Sequence, residues 1–261
     1  MHQATAPHTS PLDNDDIASL ERATLDAVAP PEVQEIEGWM LPMDRSTVGR
    51  AKSAVPLRHL GVHESHLQSI ETAYLNWGIP CTYRLADVPG LDHIHARLRT
   101  MGYAPEQPTL VMRGTVAAVL ALPLPGRTQE DAIVDTHPNA AWAAVYTAPG
   151  FDPIDGAHRV QALSRSAHLI YAAVHRSGQP VAAGTAALSQ GWASIHGMRT
   201  VLNARGQGLA SQILHSLAQV AAQRGLERMF LQVEEDNPSA HALYTRAGFH
   251  TIWRYHYWRK T

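Results

Sequence analysis

The chain has 261 residues, a length that suits one large domain or two ordinary ones. Hydrophobic residues make up 45% of it and charged residues 17%, which excludes the compositions of disordered proteins and long coiled coils. The net charge of -2 lacks the basic excess that drives binding to a phosphate backbone, so we expect no nucleic-acid partner.

In chain order, the first part predicts helices alternating with short strands. Residues 1–16 are polar and contain prolines, which predicts a flexible tail. The predicted elements are a helix over 17–28, a strand over 33–43 interrupted by Gly38, a helix over 64–77, a strand over 81–85, a helix over 91–101 and a β-rich stretch over 109–122. Arg50 and Lys52 could form a small anion site, although two solvated charges on a loop is the more ordinary interpretation.

Two prolines and a glycine between Leu122 and Arg127 predict a domain boundary, because they deny hydrogen bonds to helix and ladder alike. We therefore expect an N-terminal domain over 17–124 and a C-terminal domain over 125–261. The elements predicted after the boundary are a strand over 132–134, helical stretches over 139–146 and 163–167, an antiparallel meander of strands over 169–175, 181–188 and 193–201, a helix over 209–224, a strand over 229–233, a helix over 239–247 and a strand over 251–258. This order predicts an α/β fold with a mixed sheet.

A glycine-rich turn joins the third strand of the meander to the long helix. Gly206, Gly208 and Ala210 let the backbone turn tightly and leave amides of the first helical turn without side-chain cover. Those amides, the helix dipole and the guanidinium of Arg205 favour an anion there. Glycine turns before helices are common, so this signal is weak by itself.

The next helix strengthens the signal. It opens with Asn237 followed by proline and ends at Gly248-Phe249, with Tyr244 between them. A turn of the form Arg-x-x-Gly-x-Ala, then a helix and a strand, then Asn-(x)6-Tyr-(x)3-Gly-Phe, resembles the GNAT superfamily of acyl-CoA-dependent N-acetyltransferases over about residues 165–258.

The resemblance implies a mostly antiparallel GNAT sheet flanked by helices, acetyl-CoA as co-substrate and a primary amine, in a small molecule or a peptide, as acceptor. It implies a diphosphate grip at Arg205, Gly206, Gln207, Gly208 and Ala210, and pantetheine contacts at Met198 and Thr200 on the preceding strand. It also implies that Asn237 faces the co-substrate and that Tyr244 stands near its sulfur as a general acid. Transfer would then be direct, within a ternary complex, and Cys81 is not needed as a nucleophile.

The general base stays open. His196, on the strand before the turn, has a suitable reference pKa, and Glu234 and Glu235 follow the next strand. An ordinary strand histidine and a solvated acid are the plain alternatives. Tyr244 likewise has an alternative role in packing, beside Leu243 and Phe249.

The N-terminal part carries a looser likeness. Residues 91–112 repeat the order of helix, Gly-aromatic pair and strand, without the glycine-rich turn. Together with Gly38-Trp39 and the segment from Arg50 to Leu57, they resemble the degenerate GNAT-like half of two-part bacterial acetyltransferases. A generic α/β extension is the alternative. If the likeness holds, this half shapes the acceptor cleft or an interface. Such an interface could join two copies of the chain in a homodimer.

The remaining expectations concern setting and a second function. One cysteine, Cys81, cannot form an intramolecular disulfide and fits the cytoplasm. No window approaches the ~18 apolar residues of a membrane span, so we expect no membrane role. Neither His63 with His66 nor His93 with His95 has a third ligand at a recognised spacing, so we expect no metal. Because no base is obvious, a non-catalytic acyl-CoA-binding sensor or interaction module is the alternative function.

Overall fold

The computed structural model describes residues 12–124 and 132–261, which form a mixed sheet flanked by helices. The helices are α1 Asn14–Val28, α2 Leu67–Trp77, α3 Asp92–Thr100, α4 Val116–Leu120, α5 Ala140–Ala144, α6 Pro153–Ser164, α7 Leu209–Gln223 and α8 Pro238–Arg246. The strands are β1 Glu32–Ile36, β2 Trp39–Met43, β3 Val55–Pro56, β4 Thr82–Ala86, β5 Tyr103–Thr115, β6 Ile133–Asp135, β7 Leu169–Arg176, β8 Gln179–Ser189, β9 Trp192–Thr200, β10 Arg228–Glu234 and β11 His250–Lys260. The predicted fold class is confirmed.

Within the described ranges, eight strands form one sheet in the order β4-β11-β5-β10-β9-β8-β7-β6, and β1-β2-β3 form a separate small sheet. The strands β7, β8 and β9 are the predicted antiparallel meander. The pair β9 and β10 is parallel, whereas the other neighbours in the large sheet run antiparallel. The sheet is therefore mostly antiparallel, with its parallel pair near the middle.

The two parts of the chain share this sheet. Strand β5, from the N-terminal part, lies between β10 and β11, and β11 lies between β4 and β5. Gly102 and Gly248, with φ of 82° and 85°, lie two residues after the ends of α3 and α8, and the strand that follows each of them pairs with strands of the other part of the chain. The predicted boundary at residues 124 and 125 adjoins residues 125–131, which lie outside the described part, and the large sheet contains strands from both sides of it.

Several element ends differ from the expectation, and capping explains three of the differences. Helix α1 begins at Asn14, inside the predicted tail, because the Asp13 carboxylate accepts from the Asp16 amide at 2.8 Å; residues 1–11 of that tail lie outside the described part. The β-rich stretch ends at Thr115, whose hydroxyl caps α4. The helical stretch predicted over 163–167 is instead the end of α6, which Asp152 caps.

Helix α1 fastens the N-terminal part to the large sheet. Glu21 forms a buried ion pair with Arg84 of β4, with oxygen and nitrogen 2.5 Å apart. The Thr24 hydroxyl accepts a hydrogen bond from the Gln232 side chain of β10 at 3.0 Å. On the same helix, Leu25 and Val28 pack in one core cluster with Val48 and Ala51, which belong to the segment that follows β2. No helix of the described residues is long and apolar enough to cross a bilayer.

Candidate functional site

The parallel strands β9 and β10 part at the middle of the sheet. Their pairing ends where Leu231 lies beside Ile195, and β9 then bulges away from β8. Gly197 forms the bulge with a φ of +60°, and the Tyr146 hydroxyl donates to its carbonyl at 2.6 Å. A Cβ at Gly197 would lie 2.5 Å from that hydroxyl oxygen, so only glycine fits. The divergence opens a slot between the two strands.

The start of α7 faces this slot with free backbone donors. Gly208 is the N-cap residue, with a φ of 76° and no side-chain cap. The first bond of the helix runs from the Gln212 amide to the Gly208 carbonyl at 3.2 Å, so the amides before Gln212 have no intrahelical acceptor. A Cβ at Gly206 would meet nothing within 4 Å. An anion can therefore approach the main chain closely.

A cavity of about 540 Å³ lies at this helix start. It is lined by eight residues predicted from the sequence, namely Met198, Thr200, Arg205, Gly206, Gly208, Ala210, Asn237 and Tyr244. The remaining member of the predicted grip, Gln207, is not among the lining residues, because its side-chain amide turns back to the Asn203 carbonyl at 3.5 Å. We call this space the donor cavity.

Helix α8 places Tyr244 at the inner end of the donor cavity. The Asn237 side-chain oxygen caps the helix by accepting from the Ala240 amide at 3.1 Å, and Pro238 occupies its first turn. Six residues later, Tyr244 is 7% exposed and packs edge-on against Phe249, with ring centroids 6.0 Å apart. Burial raises the pKa of Tyr244 to about 12, so its hydroxyl keeps its proton at neutral pH.

A second cavity, of about 240 Å³, meets the donor cavity at Met198, Asn237, Ala240 and Tyr244. We call it the acceptor cavity. Ile195 and Leu231 pack with α7 on one face of the sheet, and residues alternate faces along a strand, so His196 and Gln232 lie on the other face. The loop after β2, residues 47–50, covers them. Both parts of the chain therefore build the acceptor cavity.

Two of the three candidate bases, His196 and Glu234, line the acceptor cavity, whereas Glu235 pairs with Arg254 outside it. His196 is buried, its Nε2 lies 2.8 Å from the Ser194 hydroxyl, and its Nδ1 has no partner among residues 12–124 and 132–261. Burial and the charge of Arg50 hold the pKa of His196 well below its usual range, so the ring is neutral. Glu234 is exposed and accepts from the Gln107 side-chain amide at 2.7 Å.

Several residues at the site had no sequence signal. Phe151, in the donor cavity, packs under the guanidinium groups of Arg199 and Arg205, whose carbons lie 4.4 and 6.0 Å from the ring centroid. Tyr146 and Gly197 set the bulge through a contact between distant segments. By contrast, the sequence indicates Arg50 together with Lys52 as a small anion site or as two solvated loop charges, and of the two only Arg50 lines the acceptor cavity. In the part of the chain that the structure describes, no three His, Cys, Asp or Glu side chains come together as a metal site.

Comparison with known proteins gives a family match over nearly the whole chain. The model of the family described as "Probable histone acetyltransferase Rv0428c C-terminal" matches residues 14–258. An uncharacterized N-acetyltransferase, YobR, of Bacillus subtilis (strain 168) is 36% identical over 76 residues. That match covers 29% of this chain and 31% of the relative, so the chain spans about a third of the curated relative it matches.

Solved structures share the fold at low identity. A GCN5-related N-acetyltransferase from Kribbella flavida has a TM-score of 0.68 and 17% identity, covering 94% of this chain and 95% of that one. A tandem GNAT protein from the clavulanic acid biosynthesis pathway has a TM-score of 0.62 and 14% identity, covering 95% and 96%. Each of these two similarities extends over both parts of the chain.

Proposed function

Since this chain belongs to the family described as "Probable histone acetyltransferase Rv0428c C-terminal" and has the fold of a tandem GNAT protein, we propose that it transfers an acetyl group from acetyl-CoA to a small primary amine. The sequence resemblance to GNAT enzymes implies acetyl-CoA as co-substrate and an amine as acceptor, and the similar structure from Kribbella flavida is described as an N-acetyltransferase. The observation that carries the proposal is the junction of the two cavities at Tyr244, with an uncapped helix start beside it.

The donor cavity suits the diphosphate and the pantetheine arm. In the proposal, the amides of residues 206–210 and the guanidinium of Arg205 hold the diphosphate, because unpaired helical amides and a forked cation both favour phosphate. The arm then follows Met198 and Thr200 into the slot between β9 and β10. Asn237 uses its oxygen to cap α8, so its NH₂ group is the part that can face the arm.

The thioester would lie where the strands part. Attack by an amine builds negative charge on the carbonyl oxygen, and a main-chain amide of β9 beyond Ile195 can donate to it, because β10 no longer pairs there. One such donor contributes about 3 kcal/mol in comparable sites. Tyr244, which lines both cavities and keeps its proton, can protonate the departing thiolate. Transfer then needs no covalent enzyme intermediate.

We assign proton removal to Glu234 in preference to His196. An alkyl ammonium has a pKa of about 10.4 and attacks only after losing a proton. His196 is buried, and burial and the Arg50 charge lower its pKa, so its ring cannot become an imidazolium there and has no open path by which to pass a proton to solvent. Glu234 reaches the cavity from the open end of β10 and can pass the proton on to solvent. His196 then serves as a neutral wall of the acceptor cavity.

Replacing Glu234 with glutamine is expected to lower kcat/KM for the amine about tenfold at pH 7. The defect should shrink as the pH rises toward 9, because the free-base fraction of the amine grows about tenfold per pH unit below its pKa. The measurement is the pH profile of kcat/KM for both proteins. A His196→Gln variant serves as the comparison, and a larger loss at His196 than at Glu234, rescued by pH in the same way, would reverse the assignment.

The function is tested by calorimetric titration with acetyl-CoA, followed by thiol release with a panel of primary amines. We expect saturable micromolar binding and release that an amine stimulates. Binding with no stimulated release by any amine would favour the acyl-CoA sensor. A protein that does not bind acetyl-CoA would overturn the proposal.

A further inference from the structure

We infer that the amine acceptor carries a carboxylate and that Arg50 binds it. The inference rests on the proposed function and names the chemical class of the acceptor. It rests on the position of Arg50 in the fold, on the few hydrogen bonds that Arg50 makes, on the ion pairs of the neighbouring charged residues, and on the negative charge of Glu234 in the same cavity.

The N-terminal part holds Arg50 in the acceptor cavity by close packing. Arg50 lies in a short 3₁₀ helix, Gly49–Lys52, whose Ala51 is fully buried. The preceding Gly49 approaches the ring of Tyr257 so closely that a Cβ would lie 2.7 Å from the ring carbon Cζ. A guanidinium on a solvated loop would need neither the burial of Ala51 nor the close approach of Gly49 to Tyr257. The partly buried side chain is therefore placed by the fold.

The guanidinium has few partners of its own. Its Nη1 donates to the Gln232 side-chain oxygen at 3.4 Å, a long bond to a neutral group. That oxygen also accepts from the Tyr255 hydroxyl at 3.0 Å. The Arg50 Nε is buried and has no hydrogen-bond partner in the described part of the chain. Partial burial of a cation with so few hydrogen-bond partners costs free energy unless a bound ligand supplies the missing partners.

The carboxylates of the surrounding elements bind other cations. Asp155 accepts from Arg159 at 2.6 Å and Glu106 from Arg259 at 2.5 Å, and both of these arginines line the acceptor cavity. Across residues 12–124 and 132–261, no Asp or Glu forms an ion pair with Arg50. Arg50 is thus the cavity arginine whose charge is not neutralised within the protein.

The one acidic side chain that lines the acceptor cavity, Glu234, has no ion pair among the described residues. A cavity with one free cation and one free anion complements a zwitterion, with the ammonium toward Glu234 and the carboxylate toward Arg50. Its volume of about 240 Å³ is below the ~300–1,000 Å³ of common ligand pockets, which favours a small acceptor such as an amino acid. A lysine-rich protein tail would bring positive charge against Arg50.

The test uses matched pairs of acceptors, each an L-amino acid and its C-terminal carboxamide, in thiol-release assays with saturating acetyl-CoA. The measured quantity is the ratio of kcat/KM for the acid to that for the amide, in wild type, Arg50→Gln and Arg50→Lys. Dividing the wild-type ratio by the variant ratio cancels the different basicities of the two amines. The control is Arg22→Gln, because Arg22 pairs with Glu35 outside the cavity.

We expect Arg50→Gln to lower this ratio about tenfold through a higher KM for the acid, Arg50→Lys to retain most of the preference, and Arg22→Gln to change nothing. An unchanged ratio in Arg50→Gln, or equal losses for acid and amide, would overturn the inference. A kcat/KM for a lysine-rich peptide with a blocked C-terminus that exceeds the kcat/KM for every L-amino acid in the panel would overturn the inference too. If acetyl-CoA binds but no acid in the panel is turned over, the carboxylate inference fails while the donor site stands; if acetyl-CoA does not bind, the proposed function itself fails.

Discussion

Phenylalanine at position 244 is expected to lower kcat about ten- to a hundredfold and to leave the Kd for acetyl-CoA nearly unchanged. Tyr244 lines both cavities at their junction, so its hydroxyl is placed to protonate the leaving thiolate. Its ring packs against Phe249 and is retained in the variant. The loss should therefore fall on chemistry and not on co-substrate binding, which stopped-flow turnover and calorimetry separate.

The pH dependence of this loss follows from the pKa of Tyr244, which burial raises to about 12. A group with a raised pKa stays protonated below that value, so a general acid here works across the whole neutral range and fails only in strong alkali. The ratio of wild-type to variant kcat should accordingly be flat between about pH 6 and pH 9. A ratio that falls in step with the ionisation of some group in that range would assign the acid role elsewhere.

A matched control separates the role of this hydroxyl from the general effect of removing a buried phenol. Tyr171 is also buried, and its hydroxyl donates to the Leu163 carbonyl at 2.9 Å, away from both cavities. Tyr171→Phe should cost about 1 kcal/mol of stability and leave kcat unchanged. Equal kcat in wild type and Tyr244→Phe would reduce Tyr244 to a packing residue.

The parts of the fold that sequence could predict are those fixed by neighbours along the chain. Asn237 and Pro238 begin α8, and the glycine at 248 follows its last turn, so its ends were predictable within a residue. The meander β7-β8-β9 likewise follows from two-residue turns between apolar runs. The glycine-rich turn at Gly206 and Gly208 was recognisable because glycine has a local backbone reason there.

The pairing of β5 and β11 across the two parts of the chain could not be predicted from neighbours in sequence. Gly102-Tyr103 and Gly248-Phe249 begin two similar strands, and their sequences do not say whether each strand pairs within its own part or with the other. Pairing partners are chosen by packing across more than a hundred residues, for example His250 of β11 beside Arg113 of β5. Periodicity describes only which face of a strand is buried.

The acceptor cavity was hidden for the same reason. Arg50 has charged and small neighbours in sequence, which is typical of a solvated loop. Its partners, Gln232 and the ring of Tyr257 near Gly49, come from the last third of the chain. The donor cavity could be anticipated because one contiguous motif builds the uncapped helix start that lines it, whereas the acceptor cavity arises only when two distant segments meet over the sheet.

Tryptophan at position 208 is expected to weaken acetyl-CoA binding at least a hundredfold, as measured by calorimetric titration. Gly208 lines the donor cavity as the N-cap of α7, and an indole there would fill the space in which the diphosphate meets the amides. Its φ of 76° adds backbone strain of about 1–2 kcal/mol for any residue with a Cβ. Loss of affinity therefore has to be separated from loss of folding.

Gly225, at the other end of α7, provides that separation. It has a φ of +73°, and a Cβ there would meet nothing within 4 Å, so Gly225→Trp carries the same backbone strain on the same helix without touching the donor cavity. Both variants should lower the urea midpoint by similar amounts, while only Gly208→Trp loses acetyl-CoA. Full affinity in a folded Gly208→Trp protein would mean that the diphosphate lies away from this helix, because no anion could reach those amides past the indole.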